Sequence, residues 1–247
     1  MTLKKTPDNL GFSGGHNVGI AYASEHNADF VVVLNNDVVV DPDLIVNLVK
    51  AAGASDKIGA VVPKIYFMAG NEYHKDRYKK ADLGKVFWYA GGTFDWDNIQ
   101  GQHRGVDEVD HGQYDTPGEI DLLTGCCVLF TRAALNVVRG FDDKYFLYYE
   151  DADLNTRLHH AGFTIYYEPK AMLWHVNAGA TGGSGSVLQD YFISRNRMRI
   201  GMKYGRLRTR IALVRESMRI ILGGRKWQRR GVIDYYLRRF GKGSYPV

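Results

Sequence analysis

The β-branched run Val31-Val32-Val33-Leu34 passes straight into Asn35-Asn36-Asp37, and few folds accommodate that junction. Such a run suits a strand buried on both faces, the habit of parallel sheets. Asp41-Pro42 then supplies an N-cap followed by proline at the first helical position. Leu44, Ile45, Leu48 and Val49 recur at helical spacing, and Gly53 can stop that helix. Ile58 to Val62 reads as the next strand, closed by Pro63. The pattern predicts a βαβ unit, and in such sheets ligands gather at the carboxyl ends of strands. Asn35-Asn36-Asp37 lies at such an end.

Lys64 to Glu119 is polar, Gly-rich and irregular, with short aromatic strands expected at Val86–Tyr89 and Thr93–Trp96. Leu122 to Phe130 reads as a strand, and Thr131 can cap a helix running to Val138. Glu150 to Ala161 reads as a helix, with Leu154 and Leu158 on one face and Gly162 as its stop. Thr164–Tyr167 and Met172–His175 are expected as two strands separated by Pro169. Asn177–Ser186 is Gly/Ser-rich and expected to be mobile. Val187–Tyr204 reads as helical.

Charge divides the chain. From Tyr191 onward sixteen Lys and Arg face two acidic residues, a local charge of +14, leaving −9 on the rest. Two basic amphipathic helices are expected near Leu207–Leu222 and Trp227–Phe240. Such a tail suits an anionic membrane surface or another polyanion, is a solvated face, or packs its apolar stripe against the rest of the chain and covers its sheet; it carries no nucleic-acid motif. No run reaches the ~18 apolar residues of a spanning helix, and no apolar signal core opens the chain. Cys126 and Cys127 are adjacent, with neither bridge nor metal spacing, which favours a reducing, cytosolic compartment.

Four segments carry chemistry-bearing residues. Asn35-Asn36-Asp37 offers oxygen ligands to a divalent cation or forms an Asx-turn. Glu150-Asp151-Ala152-Asp153 gathers three carboxylates at a helix start, where the dipole favours them and where one could act as a general base. Asp153 stands four residues before Arg157, the spacing of an intrahelical pair. His175 ends an apolar segment and precedes the Gly-rich stretch; a lone His is usually structural, but one at a strand end beside such a stretch is a better ligand candidate than most. The segment 9–19 holds glycines that allow close approach to a ligand, without matching a known phosphate loop.

In order, NLGFSGGHNVGI at 9–20, VVVLNNDVVVDPDLI at 31–45, TGCCVLFTRAAL and GFDDKYFLYYEDADLNTRLHHAGF at 124–163, and the Trp174-His175 segment resemble the family-2 glycosyltransferases, the rhamnosyltransferase-like branch in particular. The helix with Ser194-Arg195-Asn196-Arg197 fits the same pattern. The resemblance implies a GT-A-like (Rossmann-like) α/β fold, a mixed sheet flanked by helices, over residues 1–204, followed by a basic helical tail over 205–247. It implies inverting transfer of a sugar from a nucleotide-sugar donor to a hydroxyl of a glycan or lipid-linked glycan.

The site residues follow from the same resemblance. Asp151 is implied as catalytic base. Gly11, Asn17, Asn35, Asn36, Asp37, Gly125 and Arg195 are implied at the donor, with Arg195 on the diphosphate. Glu150 and Trp174 are implied at the acceptor. Asp37 and His175 are implied to hold Mg2+ or Mn2+. The Gly-rich stretch after His175 is implied as a cover over the donor. The strand–helix–strand with which the family opens is missing ahead of residue 8, so the glycosyltransferase domain is expected to be N-terminally incomplete. A non-catalytic remnant serving as an interaction module is therefore the alternative. The implied setting is cytoplasmic, with peripheral attachment to the inner membrane face and room for a homo-oligomer.

Overall fold

The computed structural model describes residues 2–176 and 186–246. The expected mobile stretch lies, up to residue 185, outside the described residues, as does the expected cover over the donor. In chain order, α1 (Gly11–Glu25) leads into β1 (Phe30–Leu34), β2 (Val38–Val40), α2 (Leu44–Ala52) and β3 (Ile58–Phe67). Five short strands follow: β4 (Phe87–Tyr89), β5 (Gly92–Asp95), β6 (Gln100–His103), β7 (Gly118–Ile120) and β8 (Cys127–Thr131). Then come α3 (Arg132–Val138), α4 (Glu150–His160), β9 (Thr164–His175), α5 (Val187–Tyr204), α6 (Leu207–Gly223) and α7 (Lys226–Tyr236).

The fold is a mixed sheet flanked by helices. Its strands run β1-β8-β3-β9-β2, with β4 added beside β3 and β7 beside β9; β5 and β6 form a separate hairpin. All ten residues of β3 are buried, so it is the spine of the core. β1 and β3 are not adjacent, as a simple βαβ unit would have them. β8 lies between, antiparallel to both. A doubly buried strand reads the same in sequence whichever way its neighbour runs. Only the last part of the expected Leu122–Phe130 strand is strand, because the chain turns through Gly125, where a Cβ would stand 2.7 Å from the Phe12 ring.

Pro63 does not end β3. The parallel pairing with β9 shifts there: Pro63 faces Glu168, Lys64 faces Met172, and Pro169-Lys170-Ala171 are left over. Both prolines fall at one irregularity, where a ladder bond is missing anyway. β9 is therefore one twelve-residue strand rather than two, and it carries the chain across the whole sheet to His175.

Local signals set the helices. Thr131 caps α3 by accepting from the Ala134 N–H, and Ser186 caps α5 through the Gln189 N–H. α2 starts at Leu44, two residues beyond the proline, with Asp41 accepting from the Asp43 N–H. The glycines of 9–19 form the start of α1 rather than a loop. Gly11, at φ +70°, begins it because a Cβ there would fall 2.4 Å from the Phe146 carbonyl.

The expected boundary at 204/205 falls between α5 and α6, but α7 returns to α5. A Cβ on Gly231 would stand 2.3 Å from the Tyr191 carbonyl, so the two helices touch at backbone distance. The Tyr191 hydroxyl donates to buried Asp234 at 2.6 Å, and Arg225 pairs with Asp190. Cys126 and Cys127 are free and buried at the β1/β8 end. Burial pushes the Cys127 thiol up to about 12 and Cys126 well above its usual range.

Candidate active site

β1 delivers Asn35-Asn36-Asp37 to the sheet end, and β2 turns back to pair antiparallel with the end of β9, setting Val38 opposite His175. That register brings the Asp37 Oδ1 and His175 Nε2 to 3.3 Å. Among the described residues neither atom has a further hydrogen-bond partner, nor has the His175 Nδ1. Burial lowers the His175 pKa, opposed by the Asp37 charge, which favours the neutral ring that can ligate. Two donors on one small cation lie about 3 Å apart, so this pair fits a shared divalent ion. No third His, Cys, Asp or Glu joins them among the described residues. Asn35 donates its backbone N–H to the Cys126 carbonyl at 2.9 Å, and Asn36 is exposed.

Asp151 lies at the start of α4, half-buried, on the wall of a cavity of about 560 Å3 that also shows Phe94, Ile99, His103, Tyr149 and Arg197. Burial pushes its pKa up to about 6, restrained by the backbone N–H groups of Ala152, Asp151 itself and Gly125. A carboxylate of that pKa is poised to accept a proton near neutral pH. Gly125 thus sits beside Asp151, as a backbone donor. Glu150, expected at the acceptor, is instead buried; burial first, and then the Asp151 charge, pushes its carboxyl well above the usual range.

The backbone ahead of α4 is strained. Phe146, Tyr148 and Tyr149 all have φ between +67° and +69°. Non-glycine residues in that region cost about 1 kcal/mol or more each and persist only where the surroundings hold them. Arg195 and Asn196 of α5 provide the hold. Asn196 Nδ2 lies within hydrogen-bond distance of the carbonyls of Tyr145, Leu147 and Tyr148 at 2.8–2.9 Å. Arg195 donates to the Tyr145 carbonyl at 2.8 Å and the Gly241 carbonyl at 2.7 Å. Arg195 is fully buried, so it fastens this loop instead of reaching a diphosphate.

Three further expectations are corrected. Asn17 exchanges hydrogen bonds with the Phe141 backbone, accepting at 2.9 Å and donating at 2.8 Å, and so ties α1 to the turn before the strained loop. Gly11 is required by the Phe146 carbonyl and not by a ligand. Trp174 points to the face opposite its neighbour His175; its ring stacks on Tyr66 and its N–H donates to the Gly84 carbonyl at 2.9 Å. Asp153, by contrast, does pair with Arg157, at 2.7 Å. It also accepts from Lys203 at 2.7 Å and the Tyr145 hydroxyl at 3.2 Å.

Sequence reasoning gave no site role to the stretch 86–103. Yet Trp88 stands edge-on to both His175 and His103, at 4.8 and 4.7 Å between ring centroids. His103, made less basic chiefly by burial, also lines the Asp151 cavity. These two rings lie between His175 and the cavity that Asp151 lines. The aromatic run Val86–Tyr89 was the available signal.

A family model described as "Glycosyltransferase like family 2" matches residues 5–199. N-acetylglucosaminyl-diphospho-decaprenol L-rhamnosyltransferase of Mycobacterium tuberculosis is 32% identical, over 74% of this chain and 61% of that protein. Poly-beta-1,6-N-acetyl-D-glucosamine synthase of Staphylococcus aureus is 27% identical, over 71% of this chain and 36% of that protein. The chain thus spans 61% of the length of the first of these curated relatives and 36% of the second. Among solved structures, GalNAc-T7 with UDP, GalNAc and Mn2+ superposes with a TM-score of 0.49 at 13% identity, over 81% of this chain and 40% of that chain.

Proposed function

The chain belongs to glycosyltransferase family 2, and from that premise we propose that it moves a sugar from a nucleotide-diphosphate sugar to a hydroxyl of a lipid-linked glycan, with inversion. One observation supports this above the others: Asp151 opens onto a cavity with its carboxyl pKa raised to about 6, while its acidic neighbours Glu150 and Asp153 are buried. In a single displacement the acceptor oxygen bonds to the anomeric carbon as the bond to the diphosphate oxygen breaks. The electron pair leaves with the diphosphate, and the acceptor proton passes to Asp151. The attack comes from the face opposite the leaving group, which inverts the anomeric centre.

Asp37 and His175 would hold a divalent cation, Mg2+ or Mn2+. When bound, it supplies positive charge to the departing diphosphate. Asn35 and Asn36 stand beside that pair, where the donor would be oriented. The Mycobacterium tuberculosis relative is named for an N-acetylglucosaminyl-diphospho-decaprenol acceptor, and by analogy the acceptor here is a sugar on a polyprenyl diphosphate. Such an acceptor places the protein at the cytoplasmic face of a membrane. No helix among the described residues is long and apolar enough to cross one.

Isothermal titration with UDP, GDP and dTDP, each with Mn2+, tests the donor half. Binding of one nucleotide, weakened at least tenfold by Asp37→Ala or His175→Ala, is the expected result. Equal affinities in both variants and the parent would overturn the cation pair. Failure of all three nucleotides to bind would overturn the donor assignment.

A further inference from the structure

The two basic helices at the C-terminal end treat their apolar residues differently. α7 buries Gly231, Val232 and Asp234 against the body of the protein. α6 buries a narrow face of Thr209, Leu213 and Ser217. A second apolar face of α6, formed by Leu207, Ile211, Val214, Met218 and Leu222, is exposed, with Leu207 and Leu222 at its two ends 74% and 85% accessible. The spacing of four, three, four and four residues holds these side chains within an arc of about 80°. Exposed apolar residues scattered singly need no explanation, but five in one stripe do.

Arg208, Arg215 and Arg219 each follow a stripe residue by one position and so form a row along one flank. All three are exposed, and none takes part in an ion pair among the described residues. Three other basic residues in this region are paired instead: Arg197 with Glu216 at 2.5 Å, Arg225 with Asp190, and Lys203 with Asp153.

We propose that this face of α6 seats on an anionic membrane surface, with the stripe in the headgroup–acyl boundary and the arginine row on lipid phosphates. Charge selects this occupant over a second copy of the chain. Two α6 stripes face to face would bring arginines together, and the one acidic residue of α6, Glu216, is already paired with Arg197. The binding does not depend on the lipid-linked acceptor proposed above and is measured without turnover.

Co-sedimentation with vesicles of phosphatidylcholine, with and without one quarter phosphatidylglycerol, tests it. The parent chain should partition onto the anionic vesicles only, and release them at high salt. Each basic residue near an anionic surface is worth about fivefold in partitioning. Arg208→Gln/Arg215→Gln/Arg219→Gln should thus lose at least tenfold, and Ile211→Ser/Met218→Ser/Leu222→Ser should lose binding at any salt. Circular dichroism and light scattering on the same samples check helix content and mass. Equal partitioning of parent and variants, or no partitioning of the parent, overturns the proposal. A parent dimer that the serine variant dissociates would make the stripe a self-contact and overturn it too.

Discussion

Asp151 and Asp153 stand two residues apart at the start of α4, and the protein uses them in opposite ways. On the cavity side, Asp151 meets backbone N–H groups and open space. At the sheet end, Asp37 Oδ1 and both His175 nitrogens are buried without further partners among the described residues. On the other side, Asp153 accepts from Arg157, Lys203 and two tyrosine hydroxyls. Below it Arg195 and Asn196 spend their donors on carbonyls. Buried polar groups with every bond made are scaffold, and buried polar groups left short of partners are where a ligand completes the set. Little more than half a helical turn separates the two roles.

Substitutions on the two sides should therefore fail in different ways. The largest effect expected is on Asp151→Asn: removal of a general base costs about 10²–10⁴-fold in kcat, with nucleotide binding and melting temperature close to the parent. Steady-state transfer and calorimetry on one preparation would show it, and near-parental turnover would erase the distinction. Asp153→Asn should do the reverse. It strands Arg157 and Lys203 at a buried site, and breaking such a set costs about 3 kcal/mol or more. Urea unfolding should register the loss, while the apparent pKa of turnover stays in place.

Asn196→Ala sits between these cases. It frees three carbonyls and the strained run from Phe146 to Tyr149, so we expect about 2 kcal/mol of lost stability. A fall in kcat greater than the rise in KM should accompany it, because the loop carries Asp151. If stability drops and kcat holds, the loop is scaffold alone.

The smallest effect is a titration. Asp151 must be ionised to accept a proton, so kcat should rise with pH through about 6 and level off above it. Stability should move the other way. The folded carboxyl has the higher pKa, so between about 4 and 6 the unfolded chain ionises first and the fold loses stability as pH rises. Asp153→Asn should leave the rate profile unmoved and Asp151→Asn should flatten it.

What the sequence made legible was local. The bounds of α5, the Thr131 cap and the Asp153–Arg157 pair all depend on residues within a turn or one helix of each other. The meeting of Asp37 with His175 could be expected only through the family resemblance, since 138 positions separate them and β2 alone joins the two strand ends. The insertion of β8 between β1 and β3 was hidden because a fully apolar strand does not announce the direction of its neighbour. Arg195 was misplaced for a related reason: an arginine in a matching motif suggests an anion, but carbonyls of a strained loop 50 residues earlier satisfy the same donors. Trp88 and His103 were missed because their stretch has no periodicity to read.

The two buried thiols offer an internal clock. With Cys127 pushed up to about 12 and Cys126 also raised, almost no thiolate exists at neutral pH while β8 is in place. An alkylating reagent can act only when that strand parts from β1 and β3, so its rate counts openings of the sheet margin beside Asp37. A nucleotide that bound at that end would slow the labelling in proportion to its occupancy, and the mass of the labelled peptide would say so without any turnover being measured.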